Sequence, residues 1–412
     1  MPEHSSRIPF TLSYSGPLLM PFRQTLAAAR VRFSVLCLCM CLPWFAQAAN
    51  GMHVYSGTLG KMPIVVELNW SNPAEAQGRY FYQKYRTDLP IYGTLQGQDL
   101  ELTEDPDDKR VKESPSWHLS PTGKNGWQGL WKGAEGKVLP IELTESDIPA
   151  PVDTAEPGWQ AIYQKSVYEY VRLQGLPLKA GKVETVMGHR LQWWTEPVSK
   201  ISMFEITSGY SAEPRQRINR QLRASLWKGV AEYNGCLLGS RRQDAYYVQT
   251  VTPRLLSPGI VSVSILSSYY CGGGRPDFGD APLNFDTKSG KLLTLEDVLW
   301  VGQGKPLRHD DNDDAVSALA YYDYREKQLA PWLVKQFKAI APQAMKKAAN
   351  EDDCDFSDPD IWKYAYWYLT PKGIYFGPPA DHAPLICTLP NWSVIPYAQI
   401  KKLGDVNVQL PN

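Results

Sequence analysis

The sequence predicts an α+β protein: an N-terminal antiparallel β-barrel or meander, then an α+β domain with a twisted antiparallel sheet and helices on one face. Three observations support this class. Short alternating runs separated by turn residues fill residues 50–143. A helical apolar stripe and a long hairpin follow residue 159. Aromatic residues are abundant, at 14 Trp, 23 Tyr and 11 Phe, which favours β-rich cores.

Residues 1–48 have the pattern of a signal peptide. Arginines precede an apolar run at residues 33–46, and Ala46-Gln47-Ala48 then supplies the small-x-small pattern of a cleavage site. The run is about 14 residues long, whereas a membrane span needs roughly 20. We therefore expect cleavage after Ala48 and no membrane span afterwards. An uncleaved anchor is the alternative, and Met20 is an alternative start.

Charge balance argues against a nucleic-acid partner. The chain has 43 basic and 43 acidic side chains, and no long basic run interrupts this balance. Nucleic-acid binding usually selects a basic surface. The chain after cleavage has 39 basic and 42 acidic side chains, a net charge near −3. Together with the signal peptide, this predicts a periplasmic or secreted protein.

Four cysteines remain after cleavage, namely Cys236, Cys271, Cys354 and Cys387. An even number in an exported chain predicts two disulfides, and three pairings are open. We favour Cys236–Cys271 and Cys354–Cys387, because each pair flanks a compact local unit. No two of these cysteines have the CxxC spacing of a metal site, so we predict neither a metal nor a cofactor.

Residues 50–143 contain about eight short strand patterns between turns. Asn125-Gly126 is a strong hairpin signal, because both residues tolerate positive φ. Such spacing predicts a closed or nearly closed antiparallel barrel, or a sandwich. Aromatic residues from Tyr80 to Tyr85 suggest either a binding platform or core packing, and we favour the core. This part resembles small β domains of exported bacterial proteins.

Residues 144–158 form a proline- and acid-rich linker before the second domain, residues 159–412. Residues 161–176 alternate in part with a period of two, which favours a strand, and residues 190–206 favour a strand pair. A helix is expected from Pro214 to Tyr233 and is expected to end at Gly235. Its apolar stripe consists of Ile218, Leu222, Leu226 and Val230.

A long hairpin follows, with two β-rich runs joined at Pro258-Gly259. The stretch from Cys271 to Trp300 then contains a glycine run, a short strand at Leu283 and Phe285, a turn, and a helical turn from Glu296. Two further helices are expected, Ala315–Leu329 and Pro331–Ile340, the first capped by an aspartate.

The phrase NFDTKSGKLLTLEDVL at residues 284–299, after the helix and hairpin, resembles a bacterial family of extracytoplasmic domains. The likeness covers roughly Ile201 to Leu403 and ends at Pro396-Tyr397. Members include the outer parts of anti-sigma factors that sense lysozyme, and related domains lie beside peptidoglycan deacetylase domains. The resemblance implies an α+β fold. This chain has Gly273, Gly274 and Arg275 where the family commonly has a histidine.

Catalytic patterns are weak in this sequence, and we predict no catalytic residue. Asp381-His382 suggests half of a catalytic pair, although a loop histidine is the favoured interpretation. Acidic residues surround Cys354, namely Glu351, Asp352, Asp353, Asp355, Asp358 and Asp360. A glycosidase requires two convergent carboxylates, which sequence alone does not show. Asp310, Asn312 and Asp314 resemble the start of a calcium loop, but Ala315 and Tyr321 replace its Gly and Glu.

These observations predict a non-catalytic binding protein of the cell envelope, whose partner is a cell-wall glycan or a lysozyme-like wall-degrading enzyme. The alternatives are a structural or assembly protein, or a hydrolase that acts on the wall. If there is an interface, we expect it at aromatic and charged residues around the glycine run, with the alternative that they only shape the turn. These residues are Tyr269, Tyr270, Arg275, Asp277 and Phe278.

Overall fold

A computed structural model describes most of the chain beyond the predicted signal peptide. The described residues are 51–104, 113–123, 125–152, 156–238, 244–273, 275–309, 314–347, 354–379, 387–404 and 408–411. The signal peptide predicted at residues 1–48, with Met20, lies outside them.

The first eight strands close into an antiparallel barrel, which confirms the predicted barrel. Strand order follows chain order, and the first strand pairs with the eighth to complete the ring. The strands are β1 (His53–Leu59), β2 (Met62–Asn69), β3 (Ala76–Tyr82), β4 (Asp88–Gln96), β5 (Asp99–Glu104), β6 (Ser116–Thr122), β7 (Gly126–Lys132) and β8 (Val138–Glu145). Closure leaves these strands no free edge.

Alternate side chains along the strands fill the barrel. Ile64, Val66 and Trp117 are fully buried in one cluster, as expected for inward-facing positions. Tyr80 belongs to the same cluster, whereas Tyr85 is 61% exposed. Asn125 adopts a left-handed φ of 50° between β6 and β7, as its Asn-Gly sequence predicts.

Two short helices occupy residues 159–173, so the strand expected at residues 161–176 was wrong. They are α1 (Trp159–Lys165) and α2 (Val167–Leu173). Ser166 caps α2 by accepting a hydrogen bond from the Glu169 amide. Tyr168 of α2 packs against Phe81 on the outside of the barrel, with ring centroids 5.0 Å apart. The cap and this contact outweigh the β propensity of the aromatic residues.

A three-stranded sheet and a long helix come next. The sheet contains β9 (Lys179–Val186), β10 (His189–Thr195) and β11 (Ser202–Ile206), and the helix is α3 (Ala212–Leu238). The predicted stripe is buried, and its members are Ile218, Leu222, Leu226 and Val230.

The helix end predicted at Gly235 was wrong, because α3 continues through it. Tyr233 packs edge-on against Tyr247 of the next strand, at 6.4 Å between ring centroids. Cys236 is bonded to Cys271. These two tertiary contacts hold the last turns of α3 in place and outweigh the low helix propensity of one glycine.

The predicted hairpin is confirmed. It forms the centre of a third antiparallel sheet, which follows the barrel and the sheet of β9 to β11. Its strands are β12 (Tyr246–Leu256) and β13 (Ile260–Tyr270), and β14 (Asp277–Asp280) and β15 (Leu283–Asp286) both pair with β13. Val261, Val263 and Ile265 point from β13 into the core that contains α3. The sheet therefore packs one face on the helix.

The remaining elements lie mainly around a separate core of the α+β region, which contains Leu333, Phe337 and Trp362 and which we call the second core. They are α4 (Leu295–Val298), α5 (Ala315–Tyr324), a π-helical turn (Arg325–Leu329), α6 (Ala330–Ile340), a 3-10 turn (Pro359–Trp362), β16 (Tyr366–Thr370), β17 (Gly373–Gly377), β18 (Val394–Pro396), α7 (Tyr397–Ile400) and a 3-10 turn (Lys401–Leu403). Strands β16 to β18 form the third small sheet of the α+β region. The α+β class is thus confirmed, with its strands divided among three sheets.

The two helices expected after residue 314 form one continuous helix, in which the π-helical turn joins α5 to α6. Asp314 caps α5 by accepting hydrogen bonds from the Val316 and Ser317 amides, which identifies the capping aspartate. Strand β16 crosses the face of the central sheet that points away from α3. There the Leu369 amide donates to Ser262 at 2.9 Å, and Asn284 donates to the Trp367 carbonyl at 3.2 Å.

Two disulfides join Cys236 to Cys271 and Cys354 to Cys387, which is the pairing favoured from the sequence. They indicate an oxidising, extracytoplasmic environment. Within the described ranges, no helix has the length and apolar character that a membrane crossing requires.

Candidate functional site

The predicted partner-binding residues divide between the two faces of the central sheet. In the pairing of β13 with β14, Tyr269 lies opposite Asp277 and Ser268 lies opposite Phe278. Paired residues share a face, and neighbours along a strand alternate between faces. Tyr269 and Asp277 therefore face α3, whereas Tyr270 and Phe278 point the other way. Arg275 is exposed in the turn between the strands.

Tyr269 and Asp277 connect the sheet to α3. The Tyr269 hydroxyl donates to Asp277 at 3.3 Å, and its ring stacks on Tyr247 at 5.9 Å between centroids. Tyr247 in turn donates to Glu232 of α3 at 2.8 Å. Burial and the nearby Asp277 carboxylate raise the pKa of Tyr269. These contacts fix both residues on the face of the sheet that packs on α3.

The opposite side of the same strand ends carries a mixture of exposed and half-buried residues. We call this surface the open face and define it by Tyr246, Val248, Ser268, Tyr270 and Phe278. Strand pairing places Tyr246 opposite Tyr270 and Val248 opposite Ser268. Val248 is 56% exposed and Tyr246 is 38% exposed. Sequence reasoning missed both residues, although side chains alternate between faces along β12 and this pattern places Tyr246 and Val248 together.

Asp280 lies on the same side of β14 as Phe278, two residues further along. Its carboxylate accepts hydrogen bonds from the Ser264 hydroxyl at 2.6 Å and from the Ile265 amide at 2.8 Å. Burial raises the pKa of Asp280, although these two donors and Arg254 oppose the rise. Asp280 is thus a fixed, half-buried acceptor at the inner end of the open face.

Arg254 lies beside this carboxylate at an irregularity in β12, where the register shifts between Pro253 and Leu255. It donates to the Ser264 hydroxyl at 3.3 Å, and its guanidinium lies 4.6 Å from the centre of the Tyr368 ring. A guanidinium above an aromatic ring is an attractive arrangement. The bulge therefore directs a positive charge toward the strand that crosses the sheet.

Three tyrosines of β16 and β17 stand beside Asp280 and Arg254. We call Tyr366, Tyr368 and Tyr375 the tyrosine wall. Tyr368 stacks on Tyr375 with 4.4 Å between ring centroids and 18° between planes, and Tyr366 lies 6.2 Å from Tyr375. Burial raises the pKa of all three hydroxyls, and the negative charge of Asp280 adds to the rise.

Asp280 lies between two aromatic groups: it shares a face of β14 with Phe278, and its charge acts on the hydroxyls of the tyrosine wall, where Tyr366 is half-buried and Tyr368 and Tyr375 are buried. Ligand sites commonly combine an apolar surface with a few fixed polar groups that set orientation. A sugar has the matching chemistry, because its C–H faces lie on aromatic rings and its hydroxyls donate to a carboxylate. Asp277 and Asp280 are on opposite faces of β14, so this pair does not converge across the site as glycoside hydrolysis requires.

The other sequence-derived candidates are described only in part. Asp381, His382, Glu351, Asp352 and Asp353 lie outside the described residues, as do Asp310 and Asn312 of the calcium-like loop. Asp355 accepts a hydrogen bond from Ser357, Asp358 caps the short helix at Pro359, and Asp360 pairs with Lys363 at 3.1 Å. Among the residues that are described, no group of three or more potential ligands is placed to hold a metal ion.

Comparison of the chain with known protein families finds no family that matches, and comparison with curated proteins finds no match either. The resemblance to lysozyme-sensing domains over roughly Ile201 to Leu403 therefore stays a prediction from the sequence. The site itself is an aromatic sheet face that ends at a half-buried carboxylate and a wall of tyrosines.

Proposed function

We propose that this chain is an exported, non-catalytic binding protein of the cell envelope, and that its open face takes a cell-wall glycan. The two disulfides support export, because such bonds form and persist outside the cytoplasm. The predicted signal peptide and the resemblance to extracytoplasmic domains point to the periplasm or the medium.

The observation that carries the proposal is the position of the half-buried Asp280 on the same sheet face as the ring of Phe278. Phe278 and Tyr270 offer ring surface, and Asp280 offers carboxylate lone pairs beyond the two bonds it already accepts. Tyr366 and Tyr368 border the same end. Sugars of a glycan strand would lie along the open face with a hydroxyl or acetamido N–H directed to Asp280.

Local charge favours a glycan over a basic wall-degrading enzyme. A basic partner is recognised best by free carboxylates around the contact. Here Asp277 accepts bonds from Tyr269 and the Phe278 amide, and Asp280 accepts bonds from Ser264 and the Ile265 amide. Arg275, which is exposed between these strands, would repel a basic surface.

Calorimetric titration of the oxidised mature protein with a soluble, purified wall tetrasaccharide tests this proposal. We expect saturable binding to the wild type. Phe278→Ala should weaken it by roughly tenfold or more, because a central aromatic anchor is removed. Tyr92→Ala is the matched control, since Tyr92 is an exposed aromatic residue of the barrel and should leave affinity unchanged.

A parallel titration with lysozyme separates the two partner classes. Absence of heat with the tetrasaccharide, or equal affinity for wild type and Phe278→Ala, would refute the glycan site. Saturable binding of lysozyme alone, retained at moderate salt, would assign the open face to a protein partner instead.

A further inference from the structure

A separate cavity of about 670 Å³ lies beside α4 and the end of α7. This volume is in the range of sites that hold small organic ligands. Its walls come from two distant parts of the chain, residues 296–308 and 400–404. The lining residues are Glu296, Asp297, Trp300, Gly302, Gly304, Lys305, Pro306, Arg308, Ile400, Leu403 and Gly404.

Both carboxylates that line the cavity are already paired with arginines. Glu296 is almost fully buried and lies 2.8 Å from the Arg325 guanidinium, at the start of the π-helical turn. Asp297 pairs with Arg308. Although burial favours its neutral form, hydrogen bonds from Arg308 and Thr294 together lower the pKa of Asp297. The two arginines thus balance the negative charges of the cavity lining when no ligand is bound.

The lysines around the cavity lack such compensation. Lys305 lines the cavity, and Lys401 and Lys402 lie between its lining residues Ile400 and Leu403. All three are exposed, and none forms an ion pair with a carboxylate in the described part of the chain. Lys305 therefore brings an uncompensated positive charge to the cavity lining, and Lys401 and Lys402 add positive charge beside the lining residues Ile400 and Leu403 in the sequence.

Trp300 gives the cavity a rigid apolar side. The centre of its ring lies 4.2 Å from that of Tyr324, and an added Cβ at Gly302 would meet the indole at 2.3 Å. The indole N–H is shielded from water and has no acceptor among the described residues. Pro306, Ile400 and Leu403 complete the apolar lining.

We propose that this cavity is a second ligand site, which binds a small organic anion with a carboxylate or phosphate group. Lys305 and its neighbouring lysines hold the anionic oxygens, and the apolar lining covers the body of the ligand. The inference stands on the cavity alone and does not depend on the open face.

Calorimetric titration of the oxidised mature protein with three matched sugars tests this proposal. N-acetylmuramic acid and N-acetylglucosamine 1-phosphate carry the two anionic groups, and N-acetylglucosamine carries neither. We expect either or both anionic sugars to bind at least tenfold more tightly than the neutral one. The relative affinity of the two identifies whether carboxylate or phosphate is preferred.

Variants locate the binding. Lys305→Glu and Lys401→Glu should each reduce anion affinity by about tenfold, because each replaces an attraction with a repulsion. Lys335→Glu on α6, an exposed lysine away from the cavity, is the charge-matched control, and Phe278→Ala should leave anion affinity unchanged. Failure of both anions to bind at millimolar concentration, equal affinity for the neutral sugar, or no effect of either cavity variant would overturn the proposal.

Discussion

Gly377 controls how closely Tyr366 approaches β17. The two residues are cross-strand partners, and a Cβ at Gly377 would lie 2.1 Å from the Tyr366 ring. The ring therefore lies over the glycine, and its hydroxyl donates to the Thr388 carbonyl. A side chain at residue 377 would displace one edge of the tyrosine wall.

Gly377→Ala should destabilise the protein by about 1–3 kcal/mol, the usual range when atoms are added to a packed site. It should also weaken glycan binding. Gly279→Ala is the control, because a Cβ there meets no atom within 4 Å. Urea unfolding of both variants provides the measurement. Equal stability of the two would contradict this packing of Tyr366.

Asp280 should make the proposed glycan binding dependent on pH. Burial raises its pKa above the ordinary value of 3.8, so the carboxylate becomes protonated at a higher pH than an exposed aspartate does. The charged form is the better acceptor for sugar hydroxyls. Affinity should therefore be full above the raised pKa and should fall as the pH drops through it.

Titration of glycan between neutral pH and the onset of acid unfolding measures this dependence. Asp280→Asn should bind more weakly at neutral pH and should lose the fall on acidification, because an amide does not titrate there. An identical pH profile for wild type and variant would show that Asp280 does not contact the ligand.

At the scale of elements, α2 is attached to the barrel through buried charges. Arg172 of α2 pairs with Asp88 of β4, and both side chains are nearly inaccessible to solvent. Arg79 of β3 bonds Glu67 at 2.8 Å and lies 3.1 Å from Glu169 of α2. Burial raises the pKa of Glu169, even though Arg172 and Arg79 favour its charged form.

Arg172→Ala should reduce the free energy of unfolding by about 3 kcal/mol or more, because it leaves Asp88 buried without its main partner. Arg217→Ala, which breaks an exposed pair with Glu213 on α3, should cost less than about 1 kcal/mol. Urea unfolding followed by tryptophan fluorescence compares them. A similar loss in both variants would mean that the network contributes little to the attachment of α2.

The two disulfides close loops of similar length but should differ in function. Their sequence separations are 35 and 33 residues. Each disulfide should therefore stabilise the folded protein by about 4 kcal/mol, because it reduces the chain entropy of the unfolded state. Cys271 directly follows Tyr270 of the open face, whereas Cys354–Cys387 belongs to the second core. The paired Cys236→Ser and Cys271→Ser variant should therefore lose glycan affinity. The paired Cys354→Ser and Cys387→Ser variant should lose comparable stability but less affinity, because Cys387 adjoins the site only through Thr388, which anchors Tyr366. A larger loss of affinity than in the first variant would move the site to the second core.

At the scale of the whole molecule, sequence patterns predicted those elements whose formation depends on residues close together in the chain. Alternation and the Asn125-Gly126 turn predicted the barrel, the apolar stripe predicted α3, and chain proximity predicted both disulfides. The segment around Tyr168 was missed, because its helix depends on a cap at Ser166 and a contact with the barrel.

The candidate site could be predicted only in part for a related reason. Phe278 and Tyr270 were candidates because they are aromatic, but the sheet face on which each side chain lies depends on strand register. The tyrosine wall joins the site from about a hundred residues downstream, through the pairing of Ser262 with Leu369. Sequence patterns do not show which distant strand crosses a sheet.

Amide hydrogen exchange of the oxidised mature protein, with and without saturating wall tetrasaccharide, tests most directly whether the open face binds glycan. We predict slower exchange in β12 to β14 and in β16, with the barrel unchanged, because a bound sugar covers and stiffens that face. Protection confined to the barrel, or no change at saturating tetrasaccharide, would contradict a glycan site on the open face.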